Sequence, residues 1–524
     1  MSDTRPETPE ARVLGTETEY GVYNPFDPLS NPIVLSTQAV ETYGSWYRDG
    51  APPVGWDYRG EDPLNDIRGM RIERATADPS MLTDDPYHLA PSGGVERLPR
   101  PSEQQQKLLK PSSIVLPNGG RFYVDHAHPE YSSPEVTDAL QGVLWDLAGD
   151  EIARRVMNLR QQELPEGSPL DLVLVKNNVD GKGATYGAHE NYQVRRDTDL
   201  DELIRYSIPF LVTRQVICGA GRVGLGQASQ DAGFQISQRA DYVENDVGLE
   251  TTFNRPIFNT RDEPHADHHL WRRIHVIGGD ANQFDVSLLL RLGTTALVLQ
   301  AIEAGTGMEW DSLDLANPVG AVQEVSRDLS CTRPLAMVSG ESWTALELQR
   351  RYLELVKQSF ADRGTNPTQV ERLVMDIWES VLERMGTNIM LVASEVEWVG
   401  KLALFQRQKE RLGTDWSDPR LAAMDLAWAD LRPAKSLVAA LDRAGLVKRL
   451  FTHDEVVLAA GNAPPGTRAA ARAQAVKTRP DLVAASWTSL VFDRPQAGES
   501  GEYHRVPIGD PTRPDSPVIF EGAN

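Results

Sequence analysis

Two glutamates, Glu17 and Glu19 in GTETEYG, sit inside a run with the apolar character of a buried strand, RVLGTETEYGVY. Strand side chains alternate between faces, so both carboxylates project to one side. Like charges on one face repel unless a cation lies between them. A second stretch, GGRFYVDHAHPEY (119–131), carries complementary groups. Alternation puts Phe122 and Val124 on the core side and Arg121, Tyr123 and Asp125 on the other. Glu130 lies beyond, after a His-Pro turn. A guanidinium fork suits phosphate oxygens. A wall of carboxylates suits Mg²⁺, a hard cation that takes oxygen ligands and substrate phosphates. A surface salt-bridge network needs the same residue types, so the pattern alone leaves both readings open.

Other candidates are weaker. YGAHENYQV (186–194) puts His189 and Asn191 on one strand face, and NTRDEPHAD (259–267) does the same for Arg261, Glu263 and His265 if it is extended. His265, His268 and His269 match no zinc spacing well. The chain has no GxxxxGK[ST] phosphate loop. A literal GxGxxG at Gly219, Gly221 and Gly224 follows a helical segment and precedes polar GLGQASQDAG, so it reads as a turn rather than a dinucleotide site.

These groups need rigid elements to hold them. The first ordered segment is expected over Val13–Tyr23, with a strand pair turning at Asn118–Gly119. PLDLVLVKNNVD and YGAHENYQVRR read as two further strands joined by a glycine-rich turn at 181–187. LDELIRYSIPFLVTRQVICGAG and VSLLLRLGTTALVLQAIEAG read as buried helices, and 344–450 is mostly helical. Residues 60–112 are rich in Pro, Gly and charge without periodicity, which predicts a mobile loop beside the cleft. A break near 450–465 precedes a basic helix, TRAAARAQAVKTR, and a strand, AASWTSLVFD. The expected division is a catalytic unit over 1–450 and a small C-terminal unit with a tail over 451–524.

Composition narrows the function classes. With 53 Lys and Arg against 75 Asp and Glu, the net charge is −22, which argues against nucleic acid or an anionic membrane as the main partner. Two isolated cysteines, Cys218 and Cys331, make a disulfide framework or a cysteine zinc site a poor fit. The polar N-terminus has no signal-peptide core, and no apolar run reaches the ~18 residues of a membrane span. A cytoplasmic protein is expected.

Several long motifs carry a resemblance. GTETEYG, GGRFYVDHAHPEYSSPE, LVKNNVDGKGATYGAHENY, PFLVTRQVICGAGRVG and IFNTRDEPHAD together resemble the family of Pup ligases and Pup deamidases, Pup being a prokaryotic ubiquitin-like protein. The resemblance runs from about residue 13 to about 495. VDHAHPEY and the 60–112 insertion resemble the deamidase branch. It implies an α+β, glutamine-synthetase-like fold: a curved antiparallel sheet cradle backed by helices, plus a small C-terminal domain. It also implies ATP, bound but not consumed stoichiometrically, with Mg²⁺ on its phosphates. Pup and pupylated proteins would be the partners, with a functional link to the bacterial proteasome. By residue match, Glu17, Tyr123 and Glu130 resemble magnesium ligands, with Glu19, His189 and His265 as further members of the metal and phosphate shell. Arg121, Ser133 and Trp487 resemble nucleotide contacts, and Asp125 the catalytic aspartate. Arg261 is the candidate to steady a developing oxyanion. The implied reaction is hydrolysis of the side-chain amide or lysine isopeptide at Pup's C-terminal residue. An ATP-consuming ligase of the same fold and a non-catalytic Pup-binding adaptor are the alternatives. The C-terminal IGDPTRPDSPVIFEGAN matches no part of the family pattern.

Overall fold

The computed structural model describes residues 12–48, 51–78, 81–82, 94–99, 112–181, 183–227, 230–305, 310–494 and 502–514. Among these, thirteen strands form one sheet. In chain order they are β1 (Leu14–Glu19), β2 (Gly55–Trp56), β3 (Glu96–Pro99), β4 (Ser113–Val115), β5 (Arg121–Asp125), β6 (His128–Ser132), β7 (Ala188–Arg195), β8 (Asn245–Gly248), β9 (Pro256–Asn259), β10 (Trp271–Val276), β11 (Leu482–Ala485), β12 (Ser489–Arg494) and β13 (Glu502–Pro507). Across the sheet the order is β8-β9-β10-β7-β1-β6-β5-β4-β2-β11-β12-β13-β3. The sheet is mixed: β8–β9 and β2–β11 are parallel, and the other junctions are antiparallel.

One face of the central strands is apolar and packs on helices. Phe122 and Val124 of β5 and Tyr131 of β6 lie in the main core with Val143, Ala148 and Ile152 of α1 (Ala139–Glu163). Asp138 caps that helix by accepting from the Gln141 amide at 2.8 Å, and Gly149 lets it approach the Tyr131 ring, where a Cβ would meet Cδ1 at 2.3 Å. Behind it lies α2 (Asp285–Glu303), apolar all round and therefore interior. It is the one helix among the described residues long and apolar enough to cross a membrane, and it is buried.

A smaller core joins Val54, Trp56 and Val115 to Ala471 and Ala475 of α3 (Ala469–Thr478) and to Leu490, Phe492 and Val506. The smaller core is thus shared between residues on both sides of 451, Val456, Ala459 and Ala460 belong to the main core, and β11 extends the main sheet through Ala484–Gly55 and Ala485–Trp56 pairs.

Three local expectations change. Val173–Val175 pairs with Gly21–Tyr23, not with the strand at 188–195, which pairs with β1 instead. AASWTSLVFD is two strands, β11 and β12, with a turn at 486–488. The 60–112 segment lies partly outside the described residues, but its described part is packed. Leu64 and Met81 are buried against Leu249, the Ile67 amide donates to Thr260 O at 2.7 Å, and β3 pairs with β13. Asp66 leads a turn by taking the Arg68 amide and guanidinium, and the Asp62 amide donates to the distant Glu263; neither contact leaves a periodic signal.

Candidate active site

The register of the central strands lines up the candidate residues in rows. Arg121 of β5 opposes Ser132 of β6, Ser132 opposes Glu17 of β1, and Glu17 opposes His189 of β7. Two residues along, Tyr123 opposes Glu130 and Glu130 opposes Glu19. A third row pairs Asp125 with His128. Opposed residues share a face, and successive rows on one face lie ~7 Å apart. Arg121, Tyr123, Asp125, Glu130, Glu17, Glu19 and His189 therefore stand together on the face away from the core.

A cavity opens at the first row, where Glu17, Ser132 and Ser133 line it. Its other walls are His265 and Arg273 on one side, and Arg468, Trp487 and Pro511 on the other. The apolar end lies at Trp487, whose ring meets Trp56 edge-on at 5.0 Å and carries the Arg472 guanidinium at 5.0 Å. Ser133 lines the cavity, but its hydroxyl already accepts from the Thr16 amide at 2.9 Å and ties β1 to the end of β6. Asp125, at the far end of β5, is two rows from this cavity, about 13 Å along the strand.

The rows are unevenly charged. Burial pushes the Glu17 carboxyl up, but His189, His275 and Arg273 outweigh it and hold it well below the usual range. Glu17 takes Asn191 Nδ2 at 3.0 Å and His189 Nδ1 at 3.3 Å. Glu130 goes the other way: burial, then repulsion from Asp125, Glu19 and Glu17, pushes it well above its ordinary value. Glu19 accepts the Gly187 amide at 2.7 Å, and His128 Nδ1 lies 3.3 Å from its second oxygen without the alignment of a hydrogen bond. Asp125 is held below its ordinary value: burial opposes ionisation, but His126, His189 and Arg121 prevail.

Arg121 is boxed rather than free. Its guanidinium lies 3.9 Å from the Tyr123 ring and 4.3 Å from the Trp56 ring, and Nε donates to Ser113 Oγ at 3.0 Å. Glu61, from the 60–112 segment, lies 3.6 Å from it and receives Trp56 Nε1 at 2.6 Å. Burial raises the Glu61 carboxyl to about 7, Arg121 offsetting only part of this.

The carboxylate-rich set fits a hard divalent cation: oxygen donors on adjacent strands, a carboxyl that burial and its neighbours hold well above its ordinary value, and a buried histidine nitrogen without an aligned partner. The family described as Pup-ligase protein matches residues 12–491. The chain belongs to the Pup-ligase family. It is 42% identical over 504 residues to the depupylase of Acidothermus cellulolyticus, covering 96% of this chain and 94% of that one. The same identity holds over 510 residues with the Pup deamidase/depupylase of Mycobacterium tuberculosis, again 96% and 94%. The Pup–protein ligase of Corynebacterium glutamicum is 38% identical over 467 residues, covering 84% of this chain and 94% of the other. Among solved structures, the complex of Pup with its ligase PafA superimposes with a TM-score of 0.77 at 30% identity, covering 97% of this chain and 90% of that one. PafA in complex with ADP gives 0.71 at 36%, covering 80% and 90%. The glutamine-synthetase-like α+β fold of this family is the fold found here, with a mixed rather than wholly antiparallel sheet.

In this family member, two sequence candidates stand apart from the row of carboxylates. The 259–267 stretch is a strand only to Asn259, and His265 has φ +48, so extended alternation does not hold there. Burial and Arg273 keep the His265 imidazole well below its ordinary value, as a neutral ring on the cavity wall. Arg261 turns toward Glu263 at 3.8 Å, and its main chain bridges to Asp66. His275, which the sequence reading missed, joins Glu17 and His189 with ligand atoms within 4.8 Å of one another. It sits opposite Asn191 on β10, and Asn191 Oδ1 lies 2.9 Å from its Nδ1. Its only sequence signal was the alternation in WRRIHV, which names no partner.

Proposed function

We propose that the chain hydrolyses the C-terminal glutamine amide of Pup and the isopeptide bond between Pup and substrate lysines, with ATP and Mg²⁺ as bound cofactors. The observation that carries this is Asp125. It is a partly exposed, ionised carboxylate two rows beyond the cavity, on the strand that also bears Arg121 and Tyr123. Full-length similarity to depupylases supports the same reading.

Glu17, Glu19, Glu130 and Tyr123 would hold the metal, with His189 beside Glu17. His265, Trp487, Ser133 and Arg121 would line the nucleotide. When bound, ATP and Mg²⁺ supply fixed charge that orients the substrate carbonyl. Asp125 then either attacks the carbonyl carbon, giving an anhydride that water opens, or takes a proton from an attacking water. Amide hydrolysis runs downhill in water, so the nucleotide is not consumed in proportion to product. The partners are Pup and pupylated proteins in the pathway to the bacterial proteasome, and the setting is the cytoplasm.

Structural likeness to PafA favours one rival, an ATP-consuming Pup ligase. Mass spectrometry of glutamine-ended Pup, with and without ATP, separates them. The hydrolase gives the mass gain of an amide-to-acid exchange and releases ammonia. A pure ligase leaves the glutamine intact, and that result refutes the proposal.

A further inference from the structure

The hairpin between β5 and β6 turns through two residues, His126 and Ala127, and His126 has φ +51. Ala127 is not among the positive-φ residues. A two-residue hairpin with positive φ only at its first central position is a type II′ turn, where glycine is the residue of choice. Histidine there is strained, and strain of this kind persists where a side chain is needed. The side chain folds back so that Nδ1 lies 3.1 Å from Asp125 Oδ1. The two side chains are 42% and 28% exposed, so solvent reaches the pair. The other ring nitrogen makes no hydrogen bond with a described residue. Asp125, and at longer range Glu19 and Asp78, favour the protonated ring against the opposing effect of burial.

We propose that His126 is the general acid that protonates the departing amine, taking the proton that the attacking water gives up. This rests on the hydrolase reading above. The carbonyl–nitrogen bond breaks, its electron pair goes to nitrogen, and Nε2 donates the proton that lets the amine leave neutral. If Asp125 activates water, the proton it accepts passes through solvent to Nε2, which has given its own to the amine, while Nδ1 keeps its hydrogen in the contact with Asp125. If Asp125 forms an anhydride, the water that opens it returns a proton to the ring. In both cases one water is split, its hydroxyl to the acyl carbon and its proton to the amine.

A structural role, in which the ring merely braces Asp125, would slow every substrate alike. A general acid matters only when the leaving group is basic. The test compares the parent with His126→Gly and His126→Asn on two substrates: a Pup–lysine isopeptide, and Pup whose terminal glutamate carries a weakly basic arylamide. Glycine relieves the backbone strain, so His126→Gly is expected to melt at or above the parent temperature. Isopeptide turnover should fall ~100-fold or more in both variants, and arylamide turnover by far less. An equal fall on both substrates, or none on either, overturns the assignment. If the parent itself cleaves neither substrate, the hydrolase reading has failed instead.

Discussion

Glu135 offers a prediction whose size follows from the structure. It follows β6, lines the cavity, and receives Arg468 Nε at 2.6 Å and Arg472 through a second charged hydrogen bond. The Glu135 side chain is 12% exposed, Arg468 3% and Arg472 fully buried. Thr467 Oγ1 donates to the Glu135 carbonyl at 2.8 Å, so this one residue anchors the start of α3 to the central sheet. Burial alone would raise the carboxyl, but Arg472 and Arg468 outweigh it and lower it from 4.5 to about 2. A shift of that size corresponds to ~3 kcal/mol favouring the docked state at neutral pH. It is an upper bound, because burial also weakens Arg468's hold on its own proton. The depressed carboxyl contributes fully above pH 4.5, and the contribution is lost as pH falls through about 2. Glu135→Gln keeps the shape and removes the charge, leaving two buried guanidiniums unpaired. Hydrogen exchange in 467–478 reads the local opening directly. At pH 7 the variant should open more readily by ~1–3 kcal/mol, and its disadvantage should shrink as both proteins are taken from pH 4.5 toward 2. A gap that is absent at pH 7, or constant across that window, would refute the electrostatic account.

The site gives further expectations. Glu17→Ala should abolish Mg²⁺-dependent ATP binding by calorimetry together with activity, since a hard-cation ligand is removed; unchanged affinity removes Glu17 from the metal set. Asp125→Asn should melt like the parent and still bind ATP and Pup, while deamidation and isopeptide cleavage both drop ~100-fold or more. Near-parent turnover on either substrate would move the role to Glu19 or Glu130. At Gly187 an added Cβ would meet His189 Nε2 at 2.1 Å, so Gly187→Ala should displace the imidazole and raise the Mg²⁺ concentration needed for half-maximal activity with little change in melting temperature. An unchanged Mg²⁺ requirement would mean that His189 does not serve the metal.

What the sequence disclosed follows from which interactions are local. RFYVD is half buried, so its period of two separates Phe122 and Val124 from Arg121, Tyr123 and Asp125 without any knowledge of neighbours. The apolar run of α2 likewise announces a core helix by composition. His275 could not be found this way, because its place beside Glu17 depends on β7 lying between β1 and β10. The pairing of Val173–Val175 with Gly21–Tyr23 is also non-local, and two short apolar strands do not state their partners. Glu61 was hidden for another reason: its segment is held by single hydrogen bonds such as Asp62 N to Glu263 and Ile67 N to Thr260, which leave no pattern in hydrophobicity.

The two faces of the central strands explain why the carboxylates tolerate one another. Beneath β1 and β7, on the helix side, three acids meet three bases: Asp146, Asp150 and Glu190 with Lys176, Arg214 and Arg291. Glu190 takes Arg214 through two bonds of 2.8 and 2.7 Å and the Tyr192 hydroxyl at 2.6 Å. Lys176 reaches Asp146 at 2.6 Å and Asp150 at 3.1 Å. Such a network is costly to bury, but once paired it holds its strands in one register, because any slip would strand a charge. Glu190 lies between His189 and Asn191 on its strand, so the register fixed below is the register presented above. On the cleft face the balance is different. Glu17, Glu19, Glu130 and Asp125 face Arg121 and Arg273, and those two guanidiniums also lie close to Glu61 and Glu263. A paired, rigid underside thus supports a face crowded with carboxyl groups, and that rigidity is what would hold a divalent cation in a fixed position there.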